Sequence, residues 1–192
     1  SEQRFPKEEI AQLGNLGFMG IATSSKYGGS GMDNVSYLLA IAEISKIDAS
    51  CGVIMSVNNS LVCWGIDKYG SEDQKNRYLK PLLNGDKREC YAITEKGAGS
   101  DVGGSINTTA ELEEDYYIIN GEKWYVTSAN KADFFFLQAK IHKGKNQGSH
   151  ALFILDKNLE GIEHVDTPLF SHTYAHHHSI YRFHNVKVSK DN

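Results

Sequence analysis

The chain predicts an α+β fold, with an all-helical N-terminal domain over residues 1–88 and an antiparallel β-barrel or sandwich-like domain over 89–192. Two changes of pattern carry that prediction. Apolar residues recur at helical spacing as far as Asn84-Gly85; from about Glu89 they gather into short runs suited to strands. Turn signals separate those runs, Asn120-Gly121 being the strongest.

Each element has its own local reason. Pro6 suits a first helical turn, followed by Ile10, Leu13 and Leu16 or Gly17 on one face. The loop Tyr27-Gly28-Gly29-Ser30-Gly31 breaks the chain, and Asp33 caps a second helix whose Val35, Leu38, Leu39 and Ala42 form a face expected to be buried. Asp48 opens a third helix through Val53, Val57, Leu61 and Trp64, ending before Gly70. Ser71 and Gln74 have capping-box spacing, Pro81 is expected to divide the helix that follows, and Asn84-Gly85 ends it. Strands are expected over 90–94, 108–112, 116–119, 124–127, 134–141, 151–155 and 180–188. Glu113-Glu114-Asp115 reads as a turn, Asn120-Gly121 as a tight hairpin, and 142–148 as a solvated hairpin loop.

Composition narrows the function classes. With 192 residues, the chain can bury one large core or two small ones. A net charge of −4 gives no broad basic footprint for nucleic acid, though a local pocket for a phosphate stays open. Cys51, Cys63 and Cys90 lie in apolar surroundings without metal-ligand spacing, which suits buried thiols in a reducing compartment. The apolar stretch 51–64 is interrupted by Ser56, Asn58, Asn59 and Ser60, so no membrane span is expected. Ser1-Glu2-Gln3-Arg4 resembles neither a signal peptide nor a transit peptide, and the absent Met points to processing, trimming or truncation.

Chemistry concentrates in two stretches. In Tyr91-Ala92-Ile93-Thr94-Glu95-Lys96-Gly97-Ala98-Gly99-Ser100-Asp101, a strand runs into a glycine-rich turn. Gly97 and Gly99 allow backbone shapes closed to other residues, and successive amides in such a turn can cradle an anion; the alternative is an ordinary β-turn. In Trp124-Tyr125-Val126-Thr127, strand alternation puts Tyr125 and Thr127 on one face, an aromatic and a hydroxyl able to flank a planar cofactor. The alternative is that Tyr125 caps a β core.

In order and spacing, these stretches resemble the acyl-CoA dehydrogenase family, whose signature is a Thr-Glu-Pro segment followed by Ala-Gly-Ser-Asp. Here it reads Thr94-Glu95-Lys96 and Ala98-Gly99-Ser100-Asp101. The likeness runs along nearly the whole chain, through Tyr27-Gly28-Gly29-Ser30-Gly31, Glu43-Ile44-Ser45, Asp48-Ala49-Ser50 and Val57-Asn58-Asn59-Ser60-Leu61 to Val186-Lys187-Val188. The resemblance implies FAD as cofactor, with Tyr91, Ile93 and Thr94 at the flavin and Gly99 and Ser100 at its pyrophosphate. The resemblance also implies a contact of Ser100 with the CoA part of the substrate. Tyr125 falls where the family usually places a tryptophan beside the ring, and Thr127 where a threonine approaches the hydride-accepting nitrogen. Trp124 is off that register and is expected to point into the β core. The implied reaction is α,β-dehydrogenation of an acyl-CoA thioester in fatty-acid or amino-acid catabolism, in the bacterial cytoplasm or mitochondrial matrix. A homotetramer and an electron-transferring flavoprotein as acceptor are implied too, and 57–61 looks most like the short-chain members.

Several features depart from the family. Lys96 replaces proline, and Phe170-Ser171-His172-Thr173-Tyr174-Ala175-His176-His177-His178 lacks an expected arginine and glycines. These four histidines invite a metal reading, but strand alternation leaves at most His176 and His178 on one face, so a polar strand or loop is the expectation. The family's C-terminal four-helix bundle, with its catalytic glutamate, is absent from this sequence, so the chain alone is expected not to turn over substrate. The alternatives are a flavin monooxygenase of the same fold and a non-catalytic binding or assembly module.

Overall fold

Three acidic or hydroxyl caps start the helices of the first half where the sequence puts them. The computed structural model describes residues 4–143, 146–171 and 178–192. It divides into two compact units, Ser1–Arg88 and Glu89–Asn192. In the first, Asp33 accepts from the Ser36 amide at the start of α2 (Asn34–Ile47), following α1 (Lys7–Asn15). Asp48 accepts from the Ser50 and Cys51 amides to start α3 (Ala49–Ser56). Ser71 and Gln74 form a complete capping box on α5 (Glu72–Gln74).

The third helix does not stop at its polar residues. It continues from α3 through a π-helical turn (Val57–Cys63) into α4 (Trp64–Tyr69), a 21-residue helix. Asn58 and Asn59 are buried in it and act as tethers. Asn59 Oδ1 accepts from the Ile21 amide at 2.8 Å, and its Nδ2 donates to the Phe18 carbonyl at 2.9 Å. Asn58 Nδ2 donates to the Met19 carbonyl at 2.5 Å. By length and composition alone this helix is long and apolar enough to cross a membrane, a test that a buried core helix also passes; Met55, Val62, Cys63 and Ile66 on it are buried in the helical core.

Two expectations in this unit fail. Val35, Leu38 and Leu39 are more than 60% exposed, and the face of α2 that packs is Tyr37, Ala40, Ile41 and Ile44. Both stripes have helical spacing, so periodicity could not choose between them. Pro81 does not divide its helix either: α5 runs through a second π-helical turn (Lys75–Leu79) into α6 (Lys80–Leu83). Pro81 falls in the first turn after that widened segment, where its missing N–H is tolerated.

The second unit is one curled, mixed seven-stranded sheet. Its strands are β1 (Glu89–Ala92), β2 (Thr109–Glu113), β3 (Tyr116–Thr127), β4 (Phe134–Ile141), β5 (His150–Asp156), β6 (Ile162–Asp166) and β7 (His178–Ser189). The sheet order is β1-β4-β2-β3-β7-β6, with β5 also paired to β4. Pairing departs from antiparallel where β4 runs parallel to β1 and β2, because long connections rather than hairpins link these strands. The inner face is closed by Phe135, Leu137, Phe153, Leu155, Phe183 and Val186. Strand β6 escaped the sequence reading because its residues after Ile162 are exposed and show no burial alternation.

The Asn120-Gly121 hairpin does not form. The turn lies at Glu114-Asp115, between β2 and β3, and β3 runs straight through Asn120 and Gly121. Asn120 pairs with Thr109 and Gly121 with Phe183, across a register shift that marks a β-bulge. Gly121 has φ +154°, and a Cβ there would lie 2.6 Å from Thr108 Cα. We expect Gly121→Ala to destabilise the protein by about 2–4 kcal/mol, read as a lowered urea midpoint with unchanged slope; a loss under about 0.5 kcal/mol would show that the backbone yields at no penalty.

Candidate functional site

The glycine-rich turn is held from beneath by a buried ion pair. After β1 the chain folds so that Glu95 and Ala98 exchange backbone hydrogen bonds at 3.1 and 3.0 Å, leaving Lys96 and Gly97 at the tip. The Glu95 side chain turns inward and is 6% exposed. It accepts from the Asn107 amide at 2.6 Å, the Thr108 amide at 3.0 Å, the Thr108 hydroxyl at 2.6 Å and Lys123 Nζ at 2.8 Å. Lys123 Nζ also donates to the Ile93 carbonyl at 3.0 Å, and the Trp124 amide donates to the Thr94 carbonyl at 2.8 Å. Burial pushes the Glu95 carboxyl up, but the bonds from Lys123, Thr108 and Asn107 outweigh it and hold the group below the usual carboxylate range. Burial pulls Lys123 down against the attraction of Glu95.

On its outer side the same turn is open. Added Cβ atoms at Gly97, Gly99 and Gly103 would meet nothing within 4 Å, and none of these glycines has positive φ. What glycine supplies here is access to the backbone rather than an unusual dihedral angle. Among the described residues, the amides of Gly99 and Ser100 meet no acceptor, and Ser100 is exposed. Asp101 turns away and caps α7 (Val102–Ser105) through the Gly104 amide and Ser105 hydroxyl. An open cradle with spare amides fits a phosphate-bearing ligand.

Tyr125 and Thr127 lie at the end of β3, next to the segment that Lys123 and Trp124 bind. Both are exposed, but regular alternation does not put them there. A second register shift falls between Lys123 and Val126, and Tyr125 sits at φ +56°, a left-handed conformation uncommon for an aromatic residue. That bulge also overturns the expectation for Trp124. It is Lys123 that is fully buried, while Trp124 is partly exposed, donates its indole N–H to Glu122 at 2.8 Å and lies under Lys96. Tyr125 stacks edge-on against Phe170 at 5.7 Å, and the Thr127 hydroxyl lies 3.0 Å from His178 Nδ1. Tyr91 packs against Phe136, and Tyr91, Ile93 and Thr94 are half-buried.

The sequence reading missed Lys123 and His178 as members of this neighbourhood. A lysine following Asn-Gly carries no signal of burial once the dipeptide is taken for a turn. His172, His176 and His177 lie outside the described residues, so the metal question there is not a structural one; among the described residues, no group of three His, Cys, Asp or Glu side chains could hold a metal ion. The three thiols Cys51, Cys63 and Cys90 are buried. A concavity of about 580 Å³ lined by Lys157, His164, Asp166, Thr167 and Ser179 includes none of the predicted site residues.

The acyl-CoA dehydrogenase N-terminal domain profile matches residues 1–86, and the middle-domain profile of the same family matches 90–186. The chain belongs to the acyl-CoA dehydrogenase family. A short-chain-specific acyl-CoA dehydrogenase of Clostridium acetobutylicum is 41% identical over 160 residues, which is 83% of this chain and 42% of that protein. The butyryl-CoA dehydrogenase structure from Megasphaera elsdenii superposes with a TM-score of 0.85 at 32% identity, covering 100% of this chain and 51% of that one. A Mycobacterium smegmatis glutaryl-CoA dehydrogenase in complex with FADH2 gives 0.86 at 30% identity, covering 97% of this chain and 47% of the other. The chain thus spans about half or less of the length of these family members.

Three variants test the electrostatics. Lys123→Met leaves Glu95 buried without its cation and is expected to destabilise by about 3–5 kcal/mol at pH 7, with the double variant Glu95→Gln/Lys123→Met recovering part of it. In the wild type, the Glu95 contribution is present above its unfolded value, near 4.5, and is lost as pH falls through its lowered folded value. Urea titrations from neutral to acid pH should show that loss flattened in the double variant. Glu89, at the start of β1, behaves oppositely: burial raises it to about 7. The unfolded carboxyl releases its proton near 4.5 and the half-buried folded one only near 7, so stability falls as pH rises between them, and Glu89→Gln is expected to gain stability at neutral pH, discounted to roughly 2 kcal/mol for its partial exposure, and nothing at pH 4.

Proposed function

We propose that the protein is an FAD-dependent acyl-CoA dehydrogenase acting on short acyl thioesters, with this chain supplying its cofactor-facing portion. One observation carries the reading: an open glycine-rich turn is locked by a buried ion pair to the strand that presents Tyr125 and Thr127. The relatives named for short-chain and butyryl-CoA substrates support the substrate class, and the relative holding FADH2 supports the cofactor.

In this reading Gly99 and Ser100 offer amides to the pyrophosphate, and Ser100 also meets the CoA moiety. Tyr91, Ile93 and Thr94 border the ring, the Thr94 hydroxyl facing its pyrimidine end. Tyr125 stacks beside the ring, and Thr127 presents its hydroxyl to the reactive nitrogen. FAD, when bound, supplies the acceptor for the β-hydride of the substrate. The protein's part is to align the thioester, exclude water and hold donors where charge develops. No carboxylate among the described residues is assigned as the base for the α-proton: Glu95 is spent on Lys123 and Thr108, and Glu43 pairs with Lys46. In this reading the base comes from the C-terminal helical bundle that the family resemblance implies, and residues 1–192 alone are expected not to turn over substrate. Electrons pass on to an electron-transferring flavoprotein, and the working form is a homo-oligomer.

At its natural length and loaded with FAD, the protein is expected to lose its oxidised-flavin absorption when mixed anaerobically with butyryl-CoA. Gly99→Val, which fills the open cradle, should weaken FAD binding by about tenfold or more. Faster bleaching by long-chain thioesters would remove the short-chain assignment. Absence of bleaching by any acyl-CoA, with FAD bound, would overturn the dehydrogenase.

A further inference from the structure

Thr127 leaves β3 with its hydroxyl 3.0 Å from Nδ1 of His178, its ladder partner on β7. The imidazole is braced: Phe170 meets it edge-on at 5.3 Å and meets Tyr125 at 5.7 Å, so one aromatic ring steadies both residues. The competing acceptor for the Thr127 hydroxyl, the Tyr125 carbonyl, lies at 3.4 Å, long for an O–H···O bond. A threonine hydroxyl has one hydrogen and two lone pairs, so the direction of that hydrogen decides what it offers to a ligand.

We propose that His178 is a positioning residue for Thr127: with Nδ1 bare, it accepts the hydroxyl hydrogen and leaves the oxygen lone pairs facing the ligand. The inference rests on the flavin reading above and extends it. The hydride-accepting nitrogen of a flavin is an acceptor when oxidised and an N–H donor when reduced. A hydroxyl showing only lone pairs accepts from the reduced form and has nothing to donate to the oxidised one. His178 thereby biases this end of the site toward reduced flavin, the product of hydride transfer. Without the imidazole, the hydrogen is released to turn toward the ligand, and the bias disappears.

Two measurements on the protein at its natural length test this. Imidazole ¹⁵N spectra, with the resonance assigned by its loss in His178→Ala, should show an unprotonated Nδ1 that shifts on Thr127→Val. A protonated Nδ1, or no shift, overturns the proposal. The ratio of dissociation constants for reduced and oxidised FAD should then move about five- to tenfold toward oxidised FAD in His178→Ala. His178→Asn, whose Oδ1 can take the acceptor role of Nδ1, should restore most of it. FAD binding with an unchanged ratio in His178→Ala overturns this inference alone. A wild-type protein that binds neither form of FAD overturns the flavin reading, and this inference with it.

Discussion

The buried pair of Glu95 and Lys123 is the constraint on which the rest of the sheet unit's candidate site depends. Removing two charges from water costs several kcal/mol each, and attraction alone seldom recovers it. Here the surrounding bonds decide the balance. Glu95 takes four donors from three residues at two places in the chain, and Lys123 has a second acceptor in the Ile93 carbonyl. Every bond crosses between segments: the end of β1, the start of β2 and the middle of β3. The pair is therefore a three-way junction, and the open turn at Lys96–Ser100 hangs from it.

That junction explains two departures from regular strand geometry. Lys123 reaches the interior because β3 is bulged on both sides of it, at Gly121 and at Tyr125. The first bulge requires glycine, since Thr108 occupies the space a side chain would need, and Thr108 is itself a Glu95 donor. The second puts Tyr125 into a left-handed conformation, which persists only where the neighbours over-determine it, and here they do: the Trp124 amide is tied to Thr94, while Val126 is buried and paired with Ser179. The strain at Tyr125 and the burial of Lys123 are thus one arrangement seen from its two faces.

Much of the fold was legible in the sequence because it is locally encoded. Asp33, Asp48 and the Ser71–Gln74 box act within one helical turn, and Phe134–Ile141 is apolar enough to be a strand in any context. What misled is what depends on distant partners. Asn120-Gly121 has the composition of a turn, yet its conformation is set by Thr108, Thr109 and Phe183. Val35, Leu38 and Leu39 are as periodic as the face of α2 that packs, so only the tertiary fold distinguishes them. At the candidate site, the turn and the pair Tyr125 and Thr127 could be read from residue types, whereas Lys123 and His178 could not. Their partners lie 28 and 51 residues away.

The same distinction bears on how the site tolerates change. Lys96 stands where the family has proline, a substitution that by itself frees a backbone dihedral at the tip of the turn. The turn is held at both ends by the Glu95–Ala98 backbone pair and from beneath by the carboxylate. Lys96 lies over the Trp124 ring, at 5.7 Å. In this chain the rigidity of the turn comes from the junction below it, in which the Glu95 carboxylate ties the end of β1 to the start of β2 and to Lys123 on β3.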